Sequence, residues 1–153
     1  MKEKSCCFSG HRVITGSLEQ IVGVLTAEIK KAIESGFENF IFGGAAGFDT
    51  EAAYTVLKLK KEYPNIKLIA YIPYRDYLQR LEKKNERYIL NAILKADKIE
   101  FIAEHYFRGC MQMRNRKMAD DSKSIICYLR KNSGGTFYTF NYAVKSGLEV
   151  VKI

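Results

Sequence analysis

The chain has 153 residues, 47% of them hydrophobic, which is enough to bury the core of one domain spanning residues 1–153. Its apolar runs are too short to cross a bilayer and its charged start lacks the apolar stretch of a signal peptide, so we expect a cytoplasmic protein without a membrane partner. The net charge of +8 allows an anionic partner, but the basic residues are scattered and no helix-turn-helix, RNP or zinc-finger pattern indicates nucleic-acid binding.

The four cysteines predict neither a metal site nor a redox pair. Cys6 and Cys7 are adjacent, Cys110 and Cys127 stand alone, and none of them has C-x-x-C spacing. Cytosolic thiols usually stay reduced, and a free cysteine usually packs as a small hydrophobic residue. We therefore expect four packed thiols and no metal ligands.

Strand and helix patterns alternate along the chain. A first strand at residues 5–9 precedes a helix that Ser17 caps, with Gln20 at the capping-box position, and that ends at Gly36. A polar segment at 77–95 predicts a helix, and whether it is interrupted stays open. Further strands are predicted at 40–42, 67–72, 98–102, 124–129 and 149–153, and further helices at 48–61, 110–121 and 136–146. This alternation predicts an α/β fold, a Rossmann-like three-layer αβα sandwich with a mostly parallel sheet of about six strands.

Glycine-containing turns follow three of the predicted strands. The central one is the run 43–49, Gly-Gly-Ala-Ala-Gly-Phe-Asp, which lies between a strand and a helix. Glycine permits a sharp turn and a close ligand, and the start of a helix attracts a phosphate. For one such turn alone, a tight βα connection without a ligand is an equal alternative. Because the carboxyl ends of parallel strands share one edge of the sheet, the three turns together favour ligand binding there.

Polar side chains in these turns have two interpretations each. Arg12 can grip a phosphate through two hydrogen bonds or can be a solvated loop charge. His11 can bond a phosphate or a ribose hydroxyl, or it can cap its loop or bridge to a carboxylate. Asp49 is favoured by the dipole of its helix and can alternatively hold ribose hydroxyls. The run Gly134-Gly135-Thr136 resembles a phosphate nest but lacks the lysine of a P-loop, and a plain βα turn is the alternative.

Two arginines are predicted on one helix near the carboxyl edge. Arg114 and Arg116 are two residues apart, so they cannot both face the same way. One is expected to face the edge of the sheet and the other to face solvent.

In combination, the motifs resemble the YpsA-like family of small bacterial and phage proteins. They are the runs 6–12, 43–53 and 114–122 together with Gly134-Gly135-Thr136, and the resemblance covers nearly the whole chain. That family belongs to the SLOG superfamily of Rossmann-like proteins, whose members include DprA and the Lonely Guy phosphoribohydrolases. The resemblance implies a Rossmann-like fold with a pocket for a nucleotide or a nucleotide-derived ligand.

Lonely Guy enzymes cleave the N-glycosidic bond of nucleoside monophosphates and carry R-K-x-x-M and P-G-G-x-G-T-x-x-E motifs. Arg114 and Met118 match the first motif, but Asn115 replaces its lysine. Gly134-Gly135-Thr136 matches part of the second, and the glutamate position falls on Thr139. Threonine supplies no carboxylate, so the comparison predicts that the chain is not an efficient phosphoribohydrolase.

Three functional interpretations therefore stay open. The first is a nucleotide-binding module or sensor that needs no cofactor beyond its ligand; the family's link to cell-division control implies a protein partner, and a homo-oligomer is not excluded. The second is a nucleotide hydrolase that uses Asp49, Asp120 or His11 as acid or base. The third and weaker is single-stranded DNA binding, as in DprA. No catalytic residue or metal ligand is assigned. The predicted ligand-binding residues are Ser9, Gly10, His11, Arg12, Gly43, Gly44, Ala45, Gly47, Phe48, Asp49, Arg114, Asn115, Gly134, Gly135 and Thr136.

Overall fold

The computed structural model describes residues 1–153, in which strands and helices alternate along most of the chain. The strands are β1 (Ser5–Gly10), β2 (Asn39–Phe42), β3 (Lys67–Ile72), β4 (Lys98–Phe101), β5 (Ser124–Tyr128) and β6 (Glu149–Lys152). The helices are α1 (Leu18–Glu34), α2 (Phe48–Leu59), α3 (Tyr77–Lys83), α4 (Arg87–Leu94), α5 (Cys110–Asp120) and α6 (Gly135–Lys145). The predicted cap of α1 is present, because the Ser17 hydroxyl accepts the amide of Gln20 at 3.2 Å.

The polar segment 77–95 forms two helices, α3 and α4, rather than one. The chain turns between them at Asn85, whose φ of 56° lies in the left-handed region. Asparagine tolerates this conformation better than most residues. The amide of Glu86 then bonds to the carbonyl of Leu81 at 3.0 Å, which closes the end of α3.

The strands form one sheet in the order β4-β3-β2-β1-β5-β6. Every neighbouring pair is parallel, so the predicted Rossmann-like α/β fold is confirmed. The chain progresses outward from β1 in one direction through β2, β3 and β4, and in the other through β5 and β6. In such sheets the loops after the two central strands separate at the carboxyl edge and leave a crevice.

Helices cover both faces of the sheet, and apolar side chains fill each interface. On one face α1, α2 and α4 bury residues such as Leu25, Phe48 and Ile93. On the other face α5 and α6 bury Met118 and Ala143. Because α5 follows the edge strand β4 yet packs beside α6, the chain crosses back over the sheet. This crossing brings the amino-terminal half of α5 to the carboxyl edge of the central strands.

The structure shows no disulfide bond, no cluster of metal-ligating side chains and no helix that could span a membrane. The four cysteines are free and buried, and burial raises the pKa of Cys6 to about 12. No group of three or more His, Cys, Asp or Glu side chains lies close enough to hold a metal ion. None of the helices combines the length and the apolar composition that crossing a membrane requires.

Candidate ligand-binding site

A cavity of about 680 Å³ opens at the carboxyl edge of the sheet, where the strand order reverses. Its walls come from the loops after β1, β2 and β5 and from the start of α5. Both glycine turns reach it, as the sequence predicts. The predicted residues in its wall are Ser9, Gly10, His11, Arg12, Gly43, Ala45, Asp49, Arg114, Asn115, Gly134, Gly135 and Thr136.

The first glycine turn, after β2, is closed by its own carboxylate. Asp49 accepts the amides of Gly43 and Ala45, each at 2.9 Å to Oδ2. At the start of α2, the amide of Phe48 donates to the carbonyl of His11 at 3.2 Å. These amides are therefore occupied within the protein. The prediction that this turn and the start of α2 bind a phosphate stays a prediction, but the amides of Gly43, Ala45 and Phe48 are not free for that contact.

Three predicted site residues, Gly44, Gly47 and Phe48, lie outside the cavity wall. Gly44 faces the opposite side, where its carbonyl accepts the hydroxyl of Tyr77 at 2.7 Å. Gly47 has a φ of 80°, and a Cβ there would overlap the backbone carbonyl of Arg12. The loop after β1 thus packs directly on the start of α2. Glycine is required at position 47 because the two loops pack closely there, and not because a ligand approaches the backbone.

Phe48 instead fills the space beneath the first loop. Its ring is fully buried and stacks on Tyr128 with a centroid distance of 5.7 Å. A Cβ at Gly10 would overlap the Phe48 ring, so Gly10 is small because Phe48 lies against it. Tyr128 in turn accepts the amide of Thr15 through its hydroxyl at 3.1 Å. These contacts fix the loop that forms one wall of the cavity.

Two buried charged residues, Asp49 and Arg114, both bond to the backbone of Gly43, one from the first turn and the other from α5. The two residues are 4% and 6% exposed. Arg114 donates from Nη1 to the carbonyl of Gly43 and from Nε to Asn115 Oδ1 at 2.9 Å. Burial raises the pKa of Asp49 to about 6, against the opposing pull of the Arg114 charge and the bonded amides. The carboxylate is therefore ionised at neutral pH and holds the turn in shape, and neither ribose binding nor a free general base is needed to explain it.

Arg114 keeps part of its guanidinium free towards the cavity. Its Nη2 has no hydrogen-bond partner in the protein. Among the fully buried side-chain nitrogen and oxygen atoms, only Ser122 Oγ lacks a hydrogen-bond partner. Because Nη2 of Arg114 also lacks a partner, it is not fully buried and is reached by solvent. Arg12 is exposed at the mouth of the same cavity and makes no ion pair. The cavity therefore presents the unpaired charge of Arg12 together with the open Nη2 of Arg114.

Arg116 points away from the cavity, as expected for two arginines at this spacing. Its Nη1 donates to the hydroxyl of Tyr138 on α6 at 2.9 Å. The interaction is between helices, so Arg116 is not simply solvated.

The second glycine turn, before α6, is open. Gly134 has a φ of 90°, and no side chain caps the helix. The first backbone hydrogen bond of α6 runs from the amide of Tyr138 to the carbonyl of Gly134 at 3.0 Å. The amides of residues 135–137 therefore have no partner within the helix. Gly134, Gly135 and Thr136 all line the cavity. The start of α6 can therefore offer amides and a positive dipole end to an anion.

His11 connects two loops instead of facing a ligand. Its Nε2 accepts the amide of Arg130 at 2.7 Å, so the proton of the neutral ring lies on Nδ1. Burial lowers the pKa of His11, and Lys131 and Arg130 lower it further. Of the roles that the sequence left open for His11, the structure shows the loop cap, because its ring accepts the amide of Arg130. A neutral, bonded imidazole is poorly suited to act as a general base.

The sequence interpretation missed several residues of the wall. Arg130 and Lys131 follow β5 directly, and the positional argument that selected Arg12 after β1 would have found them. Arg130 also stacks over Tyr128, with its guanidinium 4.3 Å from the ring centroid. The other missed residues are Phe8, Val13, Thr15, Met111, Gln112, Met118 and Ser133.

The model of one protein family, described as the YspA SLOG family, matches residues 14–149. The chain belongs to this YpsA family of SLOG proteins. A UPF0398 protein of Brevibacillus brevis is 27% identical over 124 residues, which cover 79% of this chain and 66% of that protein. The SPbeta prophage-derived protein YoqJ of Bacillus subtilis is 30% identical over 121 residues, 71% of either chain.

Two solved structures share the fold of this YpsA-family chain. DNA processing protein A (DprA) from Streptococcus pneumoniae has a TM-score of 0.68 at 20% identity and covers 99% of this chain and 50% of its own. DprA from Helicobacter pylori has a TM-score of 0.72 at 21% identity, and the match covers 99% of this chain and 65% of that protein. Its structure describes a single-stranded DNA binding mode. The chain thus spans half to two thirds of these proteins, and at such identity the likeness concerns the fold.

In this YpsA-family protein, Thr139 is packed inside α6. It is 3% exposed, and its hydroxyl donates to the carbonyl of Gly135 at 2.9 Å. Thr139 is absent from the cavity wall. The position where the resembling phosphoribohydrolases carry glutamate therefore holds a neutral group that is already bonded.

Proposed function

We propose that this YpsA-family protein binds or senses a nucleotide or nucleotide-derived ligand that carries a phosphate, at the carboxyl edge of its sheet. The observation that carries the proposal is the pairing of two features across one cavity. The start of α6 has unpartnered amides, and the facing wall carries the free Nη2 of Arg114 and the unpaired Arg12. Charge-assisted bonds of these kinds are the strong contacts of phosphate sites.

The size of the cavity supports a nucleotide rather than inorganic phosphate alone. A volume of about 680 Å³ falls in the range of small-molecule sites, and the half-buried Met111 supplies apolar surface beside the polar groups. Adaptable methionine side chains can pack against the flat face of a base. A binding or regulatory role follows more readily from this site than catalysis does.

A hydrolase is less well supported. The cavity contains one carboxylate, Asp49, and its oxygens already accept backbone amides. Thr139 is bonded within its helix. General acid–base catalysis needs a group that can exchange a proton with the ligand, and neither residue is free to do so.

Single-stranded DNA binding is a second candidate, favoured by the fold shared with the Helicobacter pylori DprA structure that describes such binding. The net charge of +8 is compatible with it. A strand would bind with a steep salt dependence, because phosphate contacts release counterions.

The proposal is tested by calorimetric titration of the purified protein with AMP, GMP, CMP and UMP and with the matching nucleosides. At least one nucleotide should bind, and its nucleoside should bind at least about tenfold more weakly, because hydrogen bonds to charged groups contribute about 1.5–3 kcal/mol. Arg12→Ala should weaken the same nucleotide by about tenfold without lowering the thermal midpoint. Arg87→Ala, which removes an exposed arginine on α4, is the matched control and should change neither. Equal binding of nucleotide and nucleoside, or none, would refute the proposal.

A further inference from the structure

A second cavity of about 620 Å³ lies beside the first along the carboxyl edge. The two cavities share Gln112, Gly134 and Gly135 as a common wall. The rest of the second cavity is formed by the segment before α5, by the outer face of α5 and by Tyr138 on α6. The candidate site therefore continues past the start of α6 instead of ending there.

The second cavity combines arginines with exposed aromatic rings. Phe107 and Tyr138 are 39% and 41% exposed, so neither ring is used to build the core. Arg116 holds the Tyr138 hydroxyl at 2.9 Å, which fixes the ring beside it, and Arg108 makes no ion pair. A base can stack on such rings, and arginine adds attraction for a phosphate or for the base itself.

Where α6 forms the ridge between the two cavities, at Gly134 and Gly135, the ridge has no side chains. A Cβ added to Gly134 or Gly135 would meet no atom within 4 Å. Gly134 needs glycine for its positive φ, but Gly135 does not. Neither packing nor backbone conformation requires glycine at 135, whereas a ligand that crosses the ridge does. The free amides of α6 lie at this ridge and suit the phosphate of such a ligand.

We propose that the ligand contains two nucleoside units joined through phosphate, one in each cavity, with the joining phosphates over Gly134-Gly135. The proposal rests on the proposed function, because it assigns the first unit to the nucleotide site. The second base stacks against Tyr138 and Phe107. A free dinucleotide is favoured over a strand because the two cavities, which share one wall, provide places for two nucleoside units.

The experiment compares AMP with diadenosine diphosphate by calorimetry in wild type and three variants. Adenine nucleotides serve as probes because stacking tolerates any base. In wild type the dinucleotide should bind at least about tenfold more tightly than AMP, since its second base stacks on an aromatic ring. Tyr138→Ala should remove most of that gain and leave AMP within about twofold. Tyr138→Phe keeps the ring and should retain the gain, and Tyr88→Ala, an exposed tyrosine on α4, should change nothing.

The outcomes separate the two proposals. If the dinucleotide binds no more tightly than AMP, or if Tyr138→Ala weakens both ligands equally, the second cavity holds no nucleoside unit and the two-unit ligand is refuted while nucleotide binding stands. If neither ligand nor any nucleotide binds, the proposed function itself fails. If a twelve-residue thymidylate binds more tightly than the dinucleotide with a steep salt dependence, the ligand is a strand and the free dinucleotide is overturned.

Discussion

The two glycine turns of this protein are alike in sequence and opposite in use. Each follows a strand, begins a helix and reaches the same cavity. The turn after β2 has its amides taken by Asp49 and is overlaid by the loop after β1. The turn after β5 has no side-chain cap and open space above its glycines. Glycine alone therefore does not distinguish close packing from ligand access; the neighbouring carboxylate and loop do.

The largest effect should come from adding a methyl group to each turn. Gly47→Ala places a Cβ against the Arg12 carbonyl at a φ of 80°, so we expect a loss of about 4 kcal/mol in unfolding free energy. Gly135→Ala meets open space at an ordinary φ and should stay within about 0.5 kcal/mol of wild type. Urea unfolding followed by circular dichroism measures both. Equal stabilities would break the comparison.

The two cavity arginines should separate stability from binding. Arg114 is 6% exposed and lies close to the buried Asp49, whereas Arg12 is exposed. Arg114→Ala removes the bond to the Gly43 carbonyl and the positive charge that opposes the cost of burying Asp49, and should cost about 3 kcal/mol of unfolding free energy, besides nucleotide affinity. Arg12→Ala should lose affinity alone. A fully stable Arg114→Ala protein would show that Arg114 does not hold the first turn.

Asp49 should make stability depend on pH. In the folded protein the pKa of Asp49 is raised to about 6, above its value in the unfolded chain. Protonated Asp49 therefore stabilises the folded state fully below about pH 4, and this stabilisation is lost as the pH rises through 6. Relative to Asp49→Asn, wild type should lose on the order of 2 kcal/mol of unfolding free energy between pH 4 and pH 7. The comparison with Asp49→Asn cancels other titrating groups such as His11. Parallel pH profiles would mean that Arg114 and the amides compensate burial fully.

The smallest expected effect concerns catalysis. Incubation with AMP, GMP, CMP or UMP should release no free base above background by chromatography, since no unbonded carboxylate lines the cavity. Thr139→Glu should not create activity, because position 139 is buried away from the wall. Rapid base release by wild type that Arg114→Ala abolishes would place the protein among hydrolases.

Local patterns predicted the elements of this fold well, because hydrophobic periodicity and capping act within a few residues. The parallel order of strands then placed both glycine turns at one edge. What the sequence could not indicate are contacts between distant segments. The carbonyl of Arg12 packs against Gly47, and the amide of Arg130 donates to His11. Both contacts join separate loops, and no periodic pattern in the sequence indicates them.

The most direct test of the account is a two-dimensional ¹H–¹⁵N NMR titration of the protein with the best-binding nucleotide. We expect the amides of Gly135 and Thr136, at the open start of α6, to shift with ligand concentration. The amides of Gly43 and Ala45, bonded to Asp49, should shift far less. Shifts concentrated at Gly43 and Ala45, with the start of α6 unperturbed, would contradict the assignment of the second turn as the phosphate site.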